Sequence, residues 1–195
     1  MTESLSIEPL QVDDFADFVA YLNDHLRDNG GAEAGYFQPL PRNGSTFPSD
    51  RAGAFRDGLA TAVASKGWRR AWVARSKDGR IAGHIDLRAH PDSFAEHRCL
   101  LGMGVDRGHR RAGLGAALLA HALQWAAGTG QLAWVDLQVL SENLAATALY
   151  RRAGFIKAGE IPDMFRIDGR SFAYTTMSMR LYARGPAIHA PDHSA

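Results

Sequence analysis

Seven consecutive residues, Arg110-Arg111-Ala112-Gly113-Leu114-Gly115-Ala116, put two full positive charges and two glycines into one short stretch. An apolar, extended-looking run at residues 99–105 precedes them, and Leu114, Leu118, Ala122 and Trp125 then fall at helical spacing. The order is strand, basic glycine-containing turn, helix. A helix start carries free backbone N–H groups and the positive end of the helix dipole. Glycines let a ligand come close to that backbone, and the arginines add charge. Such chemistry holds a phosphate or pyrophosphate. The same pattern also fits an ordinary βα turn with a tight glycine, and the heptapeptide alone does not separate the two.

Other side chains could move protons. His84 and Asp86 share one face of a strand pattern, Glu96 and His97 precede the next strand, and Asp136 lies on the strand after the basic turn. Residues of these types are more often solvated or hydrogen-bonded than catalytic, and none is singled out as a general base. Cys99 is the single cysteine. It sits in an apolar run with no base near in sequence, so it reads as a core thiol rather than an acylated nucleophile. One cysteine also excludes an intramolecular disulfide and any cysteine-based zinc cluster. No metal site is expected.

The elements that must position these residues follow from patterning. Residues 5–10 alternate like a short edge strand, and residues 13–27 read as a helix with Phe15, Phe18, Val19 and Leu22 inward and Asp13 or Asp14 as cap. Residues 30–48 form a long glycine- and proline-containing loop. It is either one wall of a substrate site or a connection pinned to the core by Tyr36, Phe37 and Phe47. A second helix spans 49–65. Strands at 70–75 and 80–89 flank a turn at Asp78-Gly79. After the helix that follows the basic turn come a strand at 132–140, a short helix from 144 to about 153, and strands at 155–166 and 171–181 around Asp168-Gly169. Such an order describes an α/β (α+β) protein with a mixed sheet of about seven strands, mostly antiparallel at the ends. At 195 residues with 46% apolar and 22% charged residues, it reads as one soluble domain over 1–182. A disordered tail is expected over 183–195. A formal net charge of +1 gives no global case for nucleic acid or membrane. An N-terminus without a basic-then-apolar signal points to a cytoplasmic place.

Two linked signals lie between 99 and 155. Arg110-x-x-Gly113-x-Gly115 leads into Ala117-Leu118-Leu119, and Asn143-Leu-Ala-Ala-Thr-Ala-Leu-Tyr150-Arg-Arg-Ala-Gly154-Phe155 follows one strand later. Together they resemble motifs A and B of the GNAT superfamily of acyl-CoA N-acyltransferases. The resemblance is strong over roughly 70–181 and holds only by pattern before residue 70. It implies acetyl-CoA as co-substrate and a splayed, parallel central strand pair. Arg110, Arg111, Ala112, Gly113, Leu114, Gly115 and Ala116 would hold the pyrophosphate. Met103, Gly104 and Val105 would edge the pantetheine and supply the backbone oxyanion donor. Gly102 and Gly104 around Met103 suit a bulge or a close approach, or simply make room for a helix.

Asn143, Ala146 and Tyr150 share one helical face, which the resemblance places against the cofactor. Tyr150 would then protonate the leaving thiolate, unless it is only a packing aromatic. Asn143 fits a helix cap as well as a cofactor contact. Leu149, Ala145 and Ala148 are expected to point toward the core. The expected activity is direct acetyl transfer, in a ternary complex, to a primary amine of a small molecule. Protein N-terminal or lysine acetylation and a non-catalytic acyl-CoA-binding module are the alternatives. A Rossmann-type reading lacks its Gly-rich turn after the first strand. The acceptor, the length of the acyl group and the oligomeric state, a homodimer included, stay open.

Overall fold

The computed structural model describes residues 5–181. Its centre is one seven-stranded sheet in the order β1-β2-β3-β4-β5-β7-β6. The strands are β1 (Ser6–Pro9), β2 (Arg69–Arg75), β3 (Ile81–Ala89), β4 (Arg98–Val105), β5 (Trp134–Leu140), β6 (Ile156–Ile167) and β7 (Arg170–Arg180). The helices are α1 (Phe15–Leu26), α2 (Ser49–Ala60), α3 (Leu114–Gly128) and α4 (Leu144–Arg152). All neighbouring strands are antiparallel except β4 and β5, which run parallel. The expected tail from residue 183 lies outside the described residues. Among the described residues no helix is long and apolar enough to cross a membrane.

Alternation along each strand gives the sheet two faces. On one, Ile85, Leu87, Val135, Leu137 and Met177 join Leu114, Leu118 and Ala122 of α3 and Tyr150 of α4 in the main apolar core. Helix α3 comes in over Gly83, where a Cβ would stand 3.0 Å from Leu118 and 3.2 Å from Leu114. On the other face, Phe15, Phe18 and Leu22 of α1 and Phe55 of α2 bury Ala71 and Val73 of β2.

Local expectations differ from the structure in three places. Asp14 precedes α1 without capping it; its carboxylate pairs with Arg75 at 3.1 Å. Helix α2 stops at Ala60 rather than 65, because Arg70 reaches across to the carbonyls of Leu59 (3.0 Å) and Thr61 (2.9 Å). Register shows no bulge at Gly102–Gly104, since β3 and β4 pair without interruption from Gly83↔Val105 to Ala89↔Cys99.

The loop at 30–48 is organised by Asn29, which is fully buried. Its Oδ1 accepts from Phe37 and Gln38 N–H, and its Nδ2 donates to the carbonyls of Gln38 and Leu40. Aromatics anchor the loop as well: Tyr36 packs on Phe172 at 4.9 Å and Phe37 on His25 at 4.9 Å.

Candidate active site

Strands β4 and β5 pair at Arg98↔Trp134, Cys99↔Val135 and Leu100↔Asp136, and no further. Beyond that point each follows its other neighbour, β4 with β3 to Val105 and β5 with β7 to Leu140. A wedge therefore opens between the two parallel strands. Backbone groups alternate sides along a strand, and Asp106 N–H donates to Ala82 O on the β3 side at 2.9 Å. Met103 and Val105 thus turn their N–H groups toward the wedge.

The basic turn closes one end of this wedge. Gly113 (φ +85°) and Arg111 (φ +62°) are both left-handed, and Gly113 leads directly into α3. The N–H groups of Ala112, Gly113, Leu114 and Gly115 donate to no acceptor among the described residues. A Cβ on Gly113 would meet nothing within 4 Å, so the space above these amides is open. A Cβ on Gly115 would stand 3.3 Å from Leu149 and 3.4 Å from Met103, which ties the turn to both α4 and the β4 edge. Exposed amides at a helix start, with Arg111 exposed beside them, fit a pyrophosphate. Arg110 is engaged elsewhere: its guanidinium donates to Val105 O at 3.1 Å, pairs with Asp28 at 3.2 Å and lies 5.8 Å from the Phe37 ring.

Helix α4 lies beside the wedge. Asn143 Oδ1 accepts from Ala146 N–H at 3.2 Å, the cap geometry. Tyr150 is the buried residue of α4, its ring 5.8 Å from Phe155. Its hydroxyl bonds to no described residue, and burial raises its pKa above the ordinary phenol value. That hydroxyl still touches accessible space; the fully buried side-chain polar atom without a partner, among the described residues, is His25 Nδ1. The expected inward direction of Ala145 is not observed, since it is exposed. Ala148 faces a hollow of about 310 Å³ between α4 and the β6–β7 strands, with Thr147 and Arg151 on one wall and Lys157, Glu160 and Met177 on the other. Tyr150 and Leu149 pack into the main core, while Leu144, in the first turn of α4, stays exposed.

The second sheet face carries the polar groups. Gly104 has room for no side chain: a Cβ there would lie 2.7 Å from both His25 Nε2 and His84 Cε1. The glycine pair thus admits side chains rather than forming a bulge, His25 of α1 among them. Tyr21 donates to Gly104 O at 3.4 Å and lies 3.2 Å from His84 Nδ1. Burial, with Arg110 next, lowers the His25 pKa to about 4; burial, with His25 next, lowers His84 to about 3. Both imidazoles are neutral at neutral pH.

The five proton-moving candidates separate. Asp86 pairs with Arg69 at 3.0 Å and Arg88 at 3.2 Å, while Asp136 takes Arg98 at 2.6 Å and Ser178 at 2.6 Å. Glu96 and His97 are exposed before β4, at its end paired with β5, about 13 Å of strand before the wedge opens after Leu100. Only His84 reaches the wedge side unpaired with a charge. Tyr21 and His25, one helical turn apart on α1, were not singled out from the sequence because they flank the apolar stripe rather than break it. Cys99 is fully buried, donates to Trp134 O at 3.6 Å, and burial pushes its thiol up to about 12.

Residues 38–155 match the description "Acetyltransferase (GNAT) family". Over 83 residues the chain is 45% identical to a mycothiol acetyltransferase of Clavibacter michiganensis subsp. michiganensis, covering 43% of this chain and 26% of that protein. Over 108 residues it is 32% identical to the N-alpha-acetyltransferase RimI of Mycobacterium tuberculosis, covering 53% of this chain and 63% of that one. In each case the match spans less than two thirds of the relative's length. A GNAT-family acetyltransferase from Streptococcus pneumoniae superposes with a TM-score of 0.76 at 25% identity, covering 91% of this chain and 99% of that one. Salmonella typhimurium yncA, a putative acetyltransferase solved with acetyl-CoA, shares the fold at a TM-score of 0.72 and 19% identity, over 98% and 99% of the two chains.

Proposed function

Because the chain belongs to the GNAT acetyltransferase family, we propose that it transfers an acetyl group from acetyl-CoA to the primary amine of a small molecule, by direct attack in a ternary complex. The observation that carries the reading is the β4–β5 wedge meeting the open amides of 112–115 at one end and Tyr150 on its flank. Acetyl-CoA supplies an activated thioester and a thiolate leaving group.

The chain's own residues do the rest. The amides of 112–115 and Arg111 hold the pyrophosphate. One wedge-facing amide of the β4 edge, that of Met103 or of Val105, donates to the charge that develops on the thioester oxygen, fixed in place before the reaction begins. Tyr150 donates its hydroxyl proton toward the departing sulfur. Asp86 and Asp136 are engaged by arginines, so the proton leaving the amine nitrogen passes to the Tyr21–His84 pair at Gly104. Cys99, buried on the core face, takes no acetyl group.

Thiol release from acetyl-CoA, measured with a panel of small amines and an N-terminal peptide, tests the proposal. Turnover with small amines supports it. CoA binding without turnover for any amine would favour a binding module, and turnover with the peptide alone would favour a protein N-terminal acetyltransferase.

A further inference from the structure

The wedge side of the second sheet face carries more cation than its own carboxylates balance. Asp86 is buried and already faces Arg69 at 3.0 Å, while Arg69 lies over the Phe55 ring at 4.0 Å. Asp136 is met by Arg98. Arg88 is the additional charge. Its one ion pair among the described residues is the 3.2 Å contact to Asp86, and about a third of its side chain (34%) is exposed. Its guanidinium lies over Gly102, where a Cβ would stand 3.1 Å from Arg88 Nη1. Gly102 immediately precedes Met103, whose N–H faces the wedge.

Three guanidinium groups, those of Arg69, Arg88 and Arg98, thus share two carboxylates on this face, and the uncompensated charge is that of Arg88, beside the reacting position. A cationic polyamine would be repelled there. A carboxylate would be held by the planar fork of a guanidinium, the geometry that suits it. In an α-amino acid the carboxyl carbon lies about 2.5 Å from the nitrogen, so one molecule can reach Arg88 and the thioester together.

Resting on the acetyl-transfer reading above, we infer that the acceptor is an amine bearing a carboxylate close to its nitrogen, and that the Arg88 guanidinium holds that carboxylate.

Matched pairs test this: L-leucine against isoamylamine, L-phenylalanine against phenethylamine, with spermidine as the cationic probe. For the wild-type protein with acetyl-CoA, kcat/KM should be at least ~30-fold higher for the acid of a pair, the difference lying mainly in KM. Arg88→Gln should collapse that ratio to within a few-fold, and Arg88→Lys should restore part of it, because Lys offers charge without the fork. Arg69 still faces Asp86 in both variants, and the melting temperature reports the fold. Equal rates within each pair, or spermidine as the preferred substrate, overturn the inference and leave acetyl transfer standing. If no amine turns over, the acetyl-transfer reading fails. Calorimetric titration of the same pairs into the CoA-saturated protein then decides the subsite alone: an acid that binds no more tightly than its amine overturns it.

Discussion

Leu100 and Asp136 form the last pair that joins β4 to β5, and the site begins at the next residue. Asp136 is held there by Arg98 and Ser178, so the apex of the wedge is pinned by a partly buried ion pair rather than left to slide. Everything ascribed to the site depends on that fork staying open.

Gly113→Val tests the turn. The added side chain has space around it, but φ +85° is left-handed and costs a β-branched residue about 1–2 kcal/mol or more. A modest fall in melting temperature and at least a ~10-fold loss of CoA affinity are expected, the latter because the side chain rises where the pyrophosphate must approach. Calorimetry showing wild-type affinity in a folded variant would remove the turn from the site.

Tyr150→Phe separates three roles. Its hydroxyl has no described partner, so stability should hold or rise slightly. A transition-state donor predicts a kcat fall of about 10²-fold with CoA affinity unchanged. Unchanged kcat would make Tyr150 a packing residue, and weaker CoA binding at normal kcat would make it a ground-state contact.

Cys99→Ala should retain most of the rate, since burial holds the thiol near 12 and far from the thiolate form. Loss of turnover in a folded variant, with an acetylated Cys99 in the wild-type protein by mass spectrometry, would require a two-step route instead.

His25 and His84 should make the fold acid-sensitive. Unfolded, each binds a proton near 6.5; folded, burial holds them at about 4 and about 3. Below pH 6.5 the unfolded state therefore carries more protons, and stability falls as pH drops toward about 4. The slope is up to about 1.4 kcal/mol per pH unit for each histidine. Above pH 6.5 these groups contribute no slope. Denaturant titrations at pH 7 and pH 5 should show the loss, and His84→Gln should reduce it; an identical slope in the variant would mean that other groups set the acid limb.

Asn29→Ala should cost about 2–4 kcal/mol, because it leaves buried backbone groups of residues 37, 38 and 40 unpaired. Hydrogen exchange should rise across 30–48. Unchanged exchange would show that Tyr36 and Phe37 hold the loop unaided.

Sequence alone determined the order of the elements, the Gly113 turn, the Asp168-Gly169 hairpin and the paired motifs that mark the family. Each is local: a left-handed glycine, a tight turn or a periodic stripe is written within a few residues and keeps its meaning wherever the segment docks. Tertiary structure decided which groups meet at the wedge. Arg110 stands in the basic turn, but which partners its guanidinium meets, Asp28 and the Val105 carbonyl, was set by the fold. Asp86 and Asp136, two of five candidate bases left open, are paired by arginines from neighbouring strands. His25 gains its place over Gly104 only when α1 lands on β4, 79 positions further along the chain. Charge pairing and burial are properties of neighbours in space, and no spacing within one segment records which neighbours a sheet face will receive.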